Sequence, residues 1–211
     1  MAMNVAAICD WIKAILSIGF GVTCFSFLIV MIIITYLPTN LEFHVTEASL
    51  SKFNLTSNTT LSYKLEAKIT SRNPNKHVEV YFRKVTAIAW YKDHDYASVD
   101  LTPFDQGHKN TTVLNVVFQG KGFIKLKPKQ LFEYNEETRL GVYNDLAIDL
   151  EFLIRYKLGR YKSGRFKTPT IQCRRLSLSL ISNGNSSQSP SFHGSNCKIR
   201  TGHFFESMGG I

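Results

Sequence analysis

From Ala14 to Leu37 the chain runs 24 residues without a charged side chain, and most of them are Ile, Leu, Val, Phe or Met. At ~1.5 Å rise per residue this is a helix of about 36 Å, longer than the ~30 Å hydrocarbon core of a bilayer. Trp11 and Tyr36 stand near its ends, where amphipathic rings favour the membrane interface, and Pro38 stops it. A cleaved signal peptide is the rival reading, but its apolar core spans ~7–15 residues and a small-x-small site follows it. This run is too long, and the PTNLEFHV after it offers no such site. An uncleaved signal anchor over residues 14–37 is expected, with a cytosolic stub of residues 1–13 and one exterior domain over residues 38–211.

The flanks give the orientation. The amino terminus, Asp10 and Lys13 leave a slight positive excess before the run, and Glu42 and Glu47 follow it, so the positive-inside bias places the N-terminus in the cytosol. Four sequons begin at Asn54, Asn58, Asn110 and Asn185, all beyond the run, and glycosylation requires lumenal exposure. Such triplets also arise by chance, so their joint placement is what counts. The reading is a single-pass type II protein. For Cys9, beside the run, palmitoylation and an unmodified thiol are both open; Cys24, inside it, reads as a small apolar residue. Cys173 and Cys197 are the only exterior cysteines, and an oxidising compartment favours a disulfide between them, worth about 3 kcal/mol on chain entropy.

Beyond Pro38 the apolar period is two. Leu61, Tyr63, Leu65, Ala67 and Ile69 alternate with polar residues; so do Ile148, Leu150, Phe152, Ile154, Tyr156 and Leu158, and Leu176, Leu178 and Leu180. Half-buried strands of this kind with breakers between them predict a mainly β, antiparallel two-sheet sandwich. Val78–Tyr91 and Thr112–Phe118 read as more fully buried strands, and Pro128–Tyr134, extending toward Arg139, as the one helical segment. Asn73-Pro74-Asn75 predicts a tight turn, Thr102–Asn110 a surface loop, and Ser182–Asn196 a flexible Ser/Asn-rich excursion inside the disulfide loop.

Two of these segments carry a resemblance. Arg72–Arg83, RNPNKHVEVYFR, and Pro103–Thr112, PFDQGHKNTT, together with FNLTSNTTLSYKL at Phe53–Leu65, the N-terminal anchor and the cysteine pair, resemble the plant NHL proteins. These are relatives of the non-race-specific disease resistance and harpin-induced proteins, with a late embryogenesis abundant type-2 domain. The resemblance runs from about Phe43 to Cys197. It implies an immunoglobulin-like sandwich, plasma-membrane residence with the C-terminal domain extracellular, a role in plant defence or stress, and no catalytic residues. Two departures stand out. Tyr81-Phe82-Arg83 replaces a frequent Tyr-Tyr-Asp, and KIRTGHFFESMGGI is too polar and short for a lipid-anchor tail.

No GxSxG, P-loop, GxGxxG or HExxH occurs, so no enzyme class, cofactor or metal is expected. Asp93-His94-Asp95 reads as an exposed polar turn rather than a ligand set, and His108 as a loop histidine without a visible partner. An exterior hydrolase would have only His94, His108 and nearby acids to work with. The charge is more informative. Asp10 and Lys13 cancel, so the whole net charge of +9 lies beyond the anchor. Arg155, Lys157, Arg160, Lys162, Arg165, Lys167, Arg174 and Arg175 form a run without an acid, interleaved with Tyr156, Tyr161 and Phe166. An exterior location argues against nucleic acid and leaves wall polysaccharide or anionic lipid as the matching polyanion, or a charged, merely soluble hairpin around Gly159–Gly164. The expected function is a non-enzymatic interaction or adhesion module for the cell wall or an immune-signalling protein. The alternative is a sandwich binding lipid or a hydrophobic ligand at a membrane contact. The Ser17…Gly21 spacing permits a homo-oligomer through the span.

Overall fold

The computed structural model describes residues 5–36, 38–56, 59–181, 192 and 194–200. The chain divides after Pro38 into two compact units. The first is one helix, α1 (Val5–Tyr36), whose stretch Asp10–Ile32 is long and apolar enough to cross a membrane. It begins nine residues before the uncharged run, taking in Asp10 and Lys13, which pair at 3.7 Å one turn apart.

The second unit is two antiparallel sheets. One has the order β11 (Ser195–Asn196), β1 (Glu42–Thr56), β2 (Thr60–Arg72), β6 (Thr111–Phe123). The other has the order β12 (Lys198–Ile199), β10 (Ile171–Ser179), β7 (Val142–Leu158), β3 (Val78–Tyr91), β4 (His94–Leu101). The short β5 (Phe104–Gln106) adds to β3, and β8 (Tyr161–Lys162) and β9 (Phe166–Lys167) add to β7. Alternation decides which side chains go inward: Leu61, Leu65 and Ile69 on β2, and Ile148, Leu150, Phe152 and Ile154 on β7, are buried. Aromatic contacts join the layers. Phe43 stacks on Phe152 at 5.2 Å between centroids, and Phe53 meets Tyr91 at 5.0 Å and Tyr143 at 4.7 Å. At one edge β6 and β4 approach so closely that a Cβ on Gly122 would collide with the Tyr96 carbonyl oxygen.

Two expectations change, and one strand goes unread. β6 is half-exposed rather than more fully buried, because it is an edge strand paired only with β2. Thr102–Asn110 is no simple surface loop: it contains β5, and Gln106 is buried. β1 escapes the period-two reading because bulges at Val45/Glu47 and Leu50/Lys52 each reset its inward face. The helical segment is longer than its core expectation. The second helix, α2 (Pro128–Leu140), starts with proline at its first position, uses the Gln130 side chain to accept from the Lys127 N–H, and stops at Gly141 in the left-handed region (φ 69°). Most of Ser182–Asn196 lies outside the described residues, but its last two residues form β11.

The disulfide Cys173–Cys197 forms, joining β10 to the link between β11 and β12. β11 pairs with β1 in one sheet and β12 with β10 in the other, so this short segment spans the open side of the sandwich. At the end where the chain enters from Pro38, a buried amide cluster replaces regular pairing. Asn73 donates to the carbonyls of Val78 and Gly107 (2.7 and 2.9 Å) and accepts from the Asn75 N–H. Asn75 in turn accepts from the Thr39 N–H and donates to the Thr39 carbonyl. Gln106 donates to the carbonyls of Ser71 and Asn110. The two motifs that carried the family resemblance are thus hydrogen-bonded to one another.

Asn73→Ala is expected to cost about 2–4 kcal/mol, since it orphans buried backbone groups on two segments. The check is the denaturation midpoint, and Asn73→Asp, which keeps the acceptor and loses both donors, should rescue little of it.

Candidate functional site

The eight basic residues of the Arg155–Arg175 run do not make one patch. Arg160 and Lys162 sit on the two-residue hairpin between β7 and β8, whose turn uses Gly159 at φ 57°. Both are exposed, and Tyr161 between them is 61 % exposed. Arg165, also exposed, lies between β8 and β9. Arg174 and Arg175 are on β10 opposite the first half of β7, about 35 Å along the strand from the hairpin at ~3.3 Å per residue. The remainder are engaged: Arg155 donates to the Ser163 carbonyl, Lys157 pairs with Glu79 at 3.3 Å, and Lys167 with Glu151 at 2.9 Å.

Glu79 is a hub at the hairpin end. It accepts from the Tyr81 hydroxyl at 2.7 Å and from Lys157, and His108 approaches within 3.8 Å, a partner the sequence did not reveal. The Tyr81 hydrogen bond holds its carboxyl below the ordinary range; burial opposes it, and Lys157 and His108 add to the lowering. Arg83 pairs with Asp105 at 3.4 Å and stacks over Tyr81, so one departure from the family pattern finds its counter-charge in the second motif.

The opposite end holds a charged cleft of about 380 Å³ lined by Lys92, Asp93, Glu133, Asp145, Arg174 and Arg175 among others. Among the described residues, five non-glycines have positive φ, and four of them, Lys92, Asp93, Asp145 and Arg175, line this cleft. Lys92 and Asp93 form the β3–β4 turn. Asp145 precedes Leu146, and Arg175 sits at the facing irregularity before Leu176 in the β7–β10 ladder. The Asp93-His94-Asp95 triplet divides accordingly: Asp93 in the turn, His94 and Asp95 on β4. Beneath the cleft Lys92 is buried and bonded to Glu133 (2.9 Å) and Glu137 (3.1 Å), and Tyr91 donates to Glu137. Burial works against the Lys92 ammonium, but the two carboxylates outweigh it and raise its pKa. The same bond lowers that of Glu133.

On the outer face of the larger sheet Asp149 is buried. Its Oδ2 accepts from Arg174 at 3.2 Å and from Gln172, while Oδ1 has no partner. Desolvation raises its pKa, with Arg174 opposing. Arg174 also lies over the Trp90 ring. Neither this cluster nor the Lys92 network was legible in the sequence; a Lys-Asp pair at the end of the strongly apolar β3 was the available signal for the latter. Among the sequons, Asn54 on β1 and Asn110 before β6 are exposed, while Asn58 and Asn185 lie outside the described residues. Among the described residues no group of three or more His, Cys, Asp or Glu is arranged to hold a metal.

Comparison with known proteins supplies the class. The family model described as Late embryogenesis abundant protein matches residues 68–175. NDR1/HIN1-like protein 10 of Arabidopsis thaliana is 39% identical over 74% of this chain and 68% of its own length. Proteins 3 and 2 of the same series and organism are 33% and 31% identical, over 71% and 68% of this chain and 64% and 59% of their own lengths. The chain belongs to the NDR1/HIN1-like family of plant defence and stress proteins, with its late embryogenesis abundant domain. Its apolar N-terminal helix fits membrane anchoring. Two solved structures are distantly similar: a protein from Archaeoglobus fulgidus (12% identity, 65% of this chain and 98% of that one, TM-score 0.28) and one from Arabidopsis thaliana (18%, 69% and 87%, TM-score 0.35).

Lys92→Met is expected to cost about 3 kcal/mol by leaving Glu137 buried without its cation; adding Glu137→Gln should recover most of the loss in denaturant titrations. For Asp149 the native state holds its proton more tightly than the unfolded chain, so its contribution to stability falls as pH rises from the ordinary carboxylate range to the raised value. Asp149→Asn should remove that fall and be no less stable than the parent at pH 7, as read from melting temperature against pH.

Proposed function

We propose that this protein is a single-pass, type II component of the plasma membrane whose extracellular sandwich is a non-enzymatic binding module in plant defence and stress. The span covers residues 14–37 and the exterior domain residues 38–211. The observation that carries the reading is the apolar helix followed within a few residues by a β unit closed by Cys173–Cys197, a bond suited to an oxidising exterior. The exposed Asn54 and Asn110 support it as glycan acceptors, with Asn58 and Asn185 completing the set. The partners are cell-wall polysaccharide or an immune-signalling protein, met by loops that the buried amides hold in place, and the span supports self-association through Ser17 and Gly21. Lipid binding at a membrane contact is the second reading, favoured by the exposed basic hairpin at Arg160 and Lys162.

In plant membranes, endoglycosidase should lower the apparent mass and protease added outside intact protoplasts should digest the domain. A mass unchanged by the glycosidase, with a domain that external protease spares, would refute this topology.

A further inference from the structure

We propose that the end of the sandwich carrying the β7–β8 hairpin binds phosphate-bearing anionic lipid headgroups, with Arg160 and Lys162 as the principal contacts and Tyr161 as an interfacial anchor. This rests on the membrane-anchored reading and deepens its lipid-binding branch.

Register brings three connections to one end. Val78 pairs with Leu158, which puts the hairpin turn beside the β2–β3 connection. Thr111 pairs with Arg72 and Lys109 donates to the Asn75 carbonyl, which adds the β5–β6 connection. Asn75 also holds Thr39, the first residue of the β unit. Only Leu37 and Pro38 separate Thr39 from the last residue of α1, and six residues separate it from Ile32, the last residue of the stretch Asp10–Ile32. The seven Cα–Cα steps from Ile32 to Thr39 reach about 25 Å at full extension. Covalent reach therefore keeps Thr39 within about 25 Å of the end of that stretch.

The charge there is one-sided. Three carboxylates near this end are already engaged: Glu42 with Arg72, Glu79 with Lys157 and Asp105 with Arg83. Among the described residues Lys76, Lys109, Arg160 and Lys162 are exposed and make no ion pair. Lys109 and Lys76 sit on connections fixed by the buried amides, and the hairpin is braced where Ser163 donates to the Gly164 carbonyl and accepts from the Tyr156 N–H. Exposed tyrosine between two cations on a rigid turn matches a headgroup layer, in which the ring takes the interface and the cations take phosphates. Arg174 and Arg175, at the far end, take no part.

The test uses the full chain in vesicles, with Tyr161→Trp as reporter and Trp11→Phe removing the tryptophan of the helix. Quenching by lipids brominated on the acyl chain is compared in pure phosphatidylcholine and in phosphatidylcholine containing phosphatidylglycerol. Quenching is expected to be several-fold stronger with the anionic lipid. It should fall to the neutral-lipid level in 0.5 M salt (where the Debye length is about 4 Å) and in the double variant Arg160→Gln/Lys162→Gln. Lys76→Gln/Lys109→Gln should give a partial loss. Equal quenching in both vesicles, or none in either, would overturn the proposal. So would reversal by soluble polygalacturonate at concentrations where inorganic phosphate has no effect, which would assign the surface to polysaccharide. Retention of the chain in carbonate-washed vesicles is scored separately: loss of the chain from them refutes the anchored reading, not the headgroup site.

Discussion

Asn73 is the residue on which the entry end of the sandwich depends. Three connections meet there without a sheet to pair them, and buried backbone groups without partners are costly. One side-chain amide answers several of them, donating to Val78 and Gly107 while accepting from Asn75. Asn75 passes the restraint to Thr39, and Gln106 closes the circuit to Ser71 and Asn110. The start of β3, the end of β2 and the residue that precedes β6 are thereby fixed relative to one another. Their register is what places the hairpin, Lys76 and Lys109 together.

Strand geometry also sorts charge. A run of eight cations looks like one basic segment when written in a line. Folded, β7 and β10 carry it along a sheet, counter-charges on β3 and β7 absorb part of it, and what stays unpaired collects at the two ends. The ends differ in character. At the hairpin the free charges are positive and the adjacent turn is regular. At the Lys92 cleft both signs mix, and the backbone carries four left-handed non-glycine residues, a conformation that costs energy unless the surroundings enforce it.

The architecture was legible where burial alternates cleanly. The long apolar helix, β2, β3, β7 and the cysteine pair could all be read from apolar spacing and compartment logic. What escaped did so for identifiable reasons. β1 changes its inward face twice at bulges, so its apolar residues lose a fixed period. β5 is three residues long, too short for any period to register. The tie between Asn73 and Gly107 and that between Lys92 and Glu137 join residues 34 and 45 positions apart, and polar pairing at such distances leaves no periodic trace. His108 gained Glu79 in the same way. Position along the chain did survive in one respect: the motifs quoted for the family resemblance are the ones that meet in the amide cluster.

The segment that bridges both sheets also dictates an order of assembly. His44 waits for Asn196, 152 residues further along the chain, before the first strand of the sandwich has its outer partner. Cys173 likewise cannot pair with Cys197 until that segment has arrived. During synthesis, then, the edge of β1 stands open until the chain has been made as far as Asn196. Open strand edges recruit other chains, which makes closure of this clasp the step at which a newly made molecule ceases to be a partner for its neighbours.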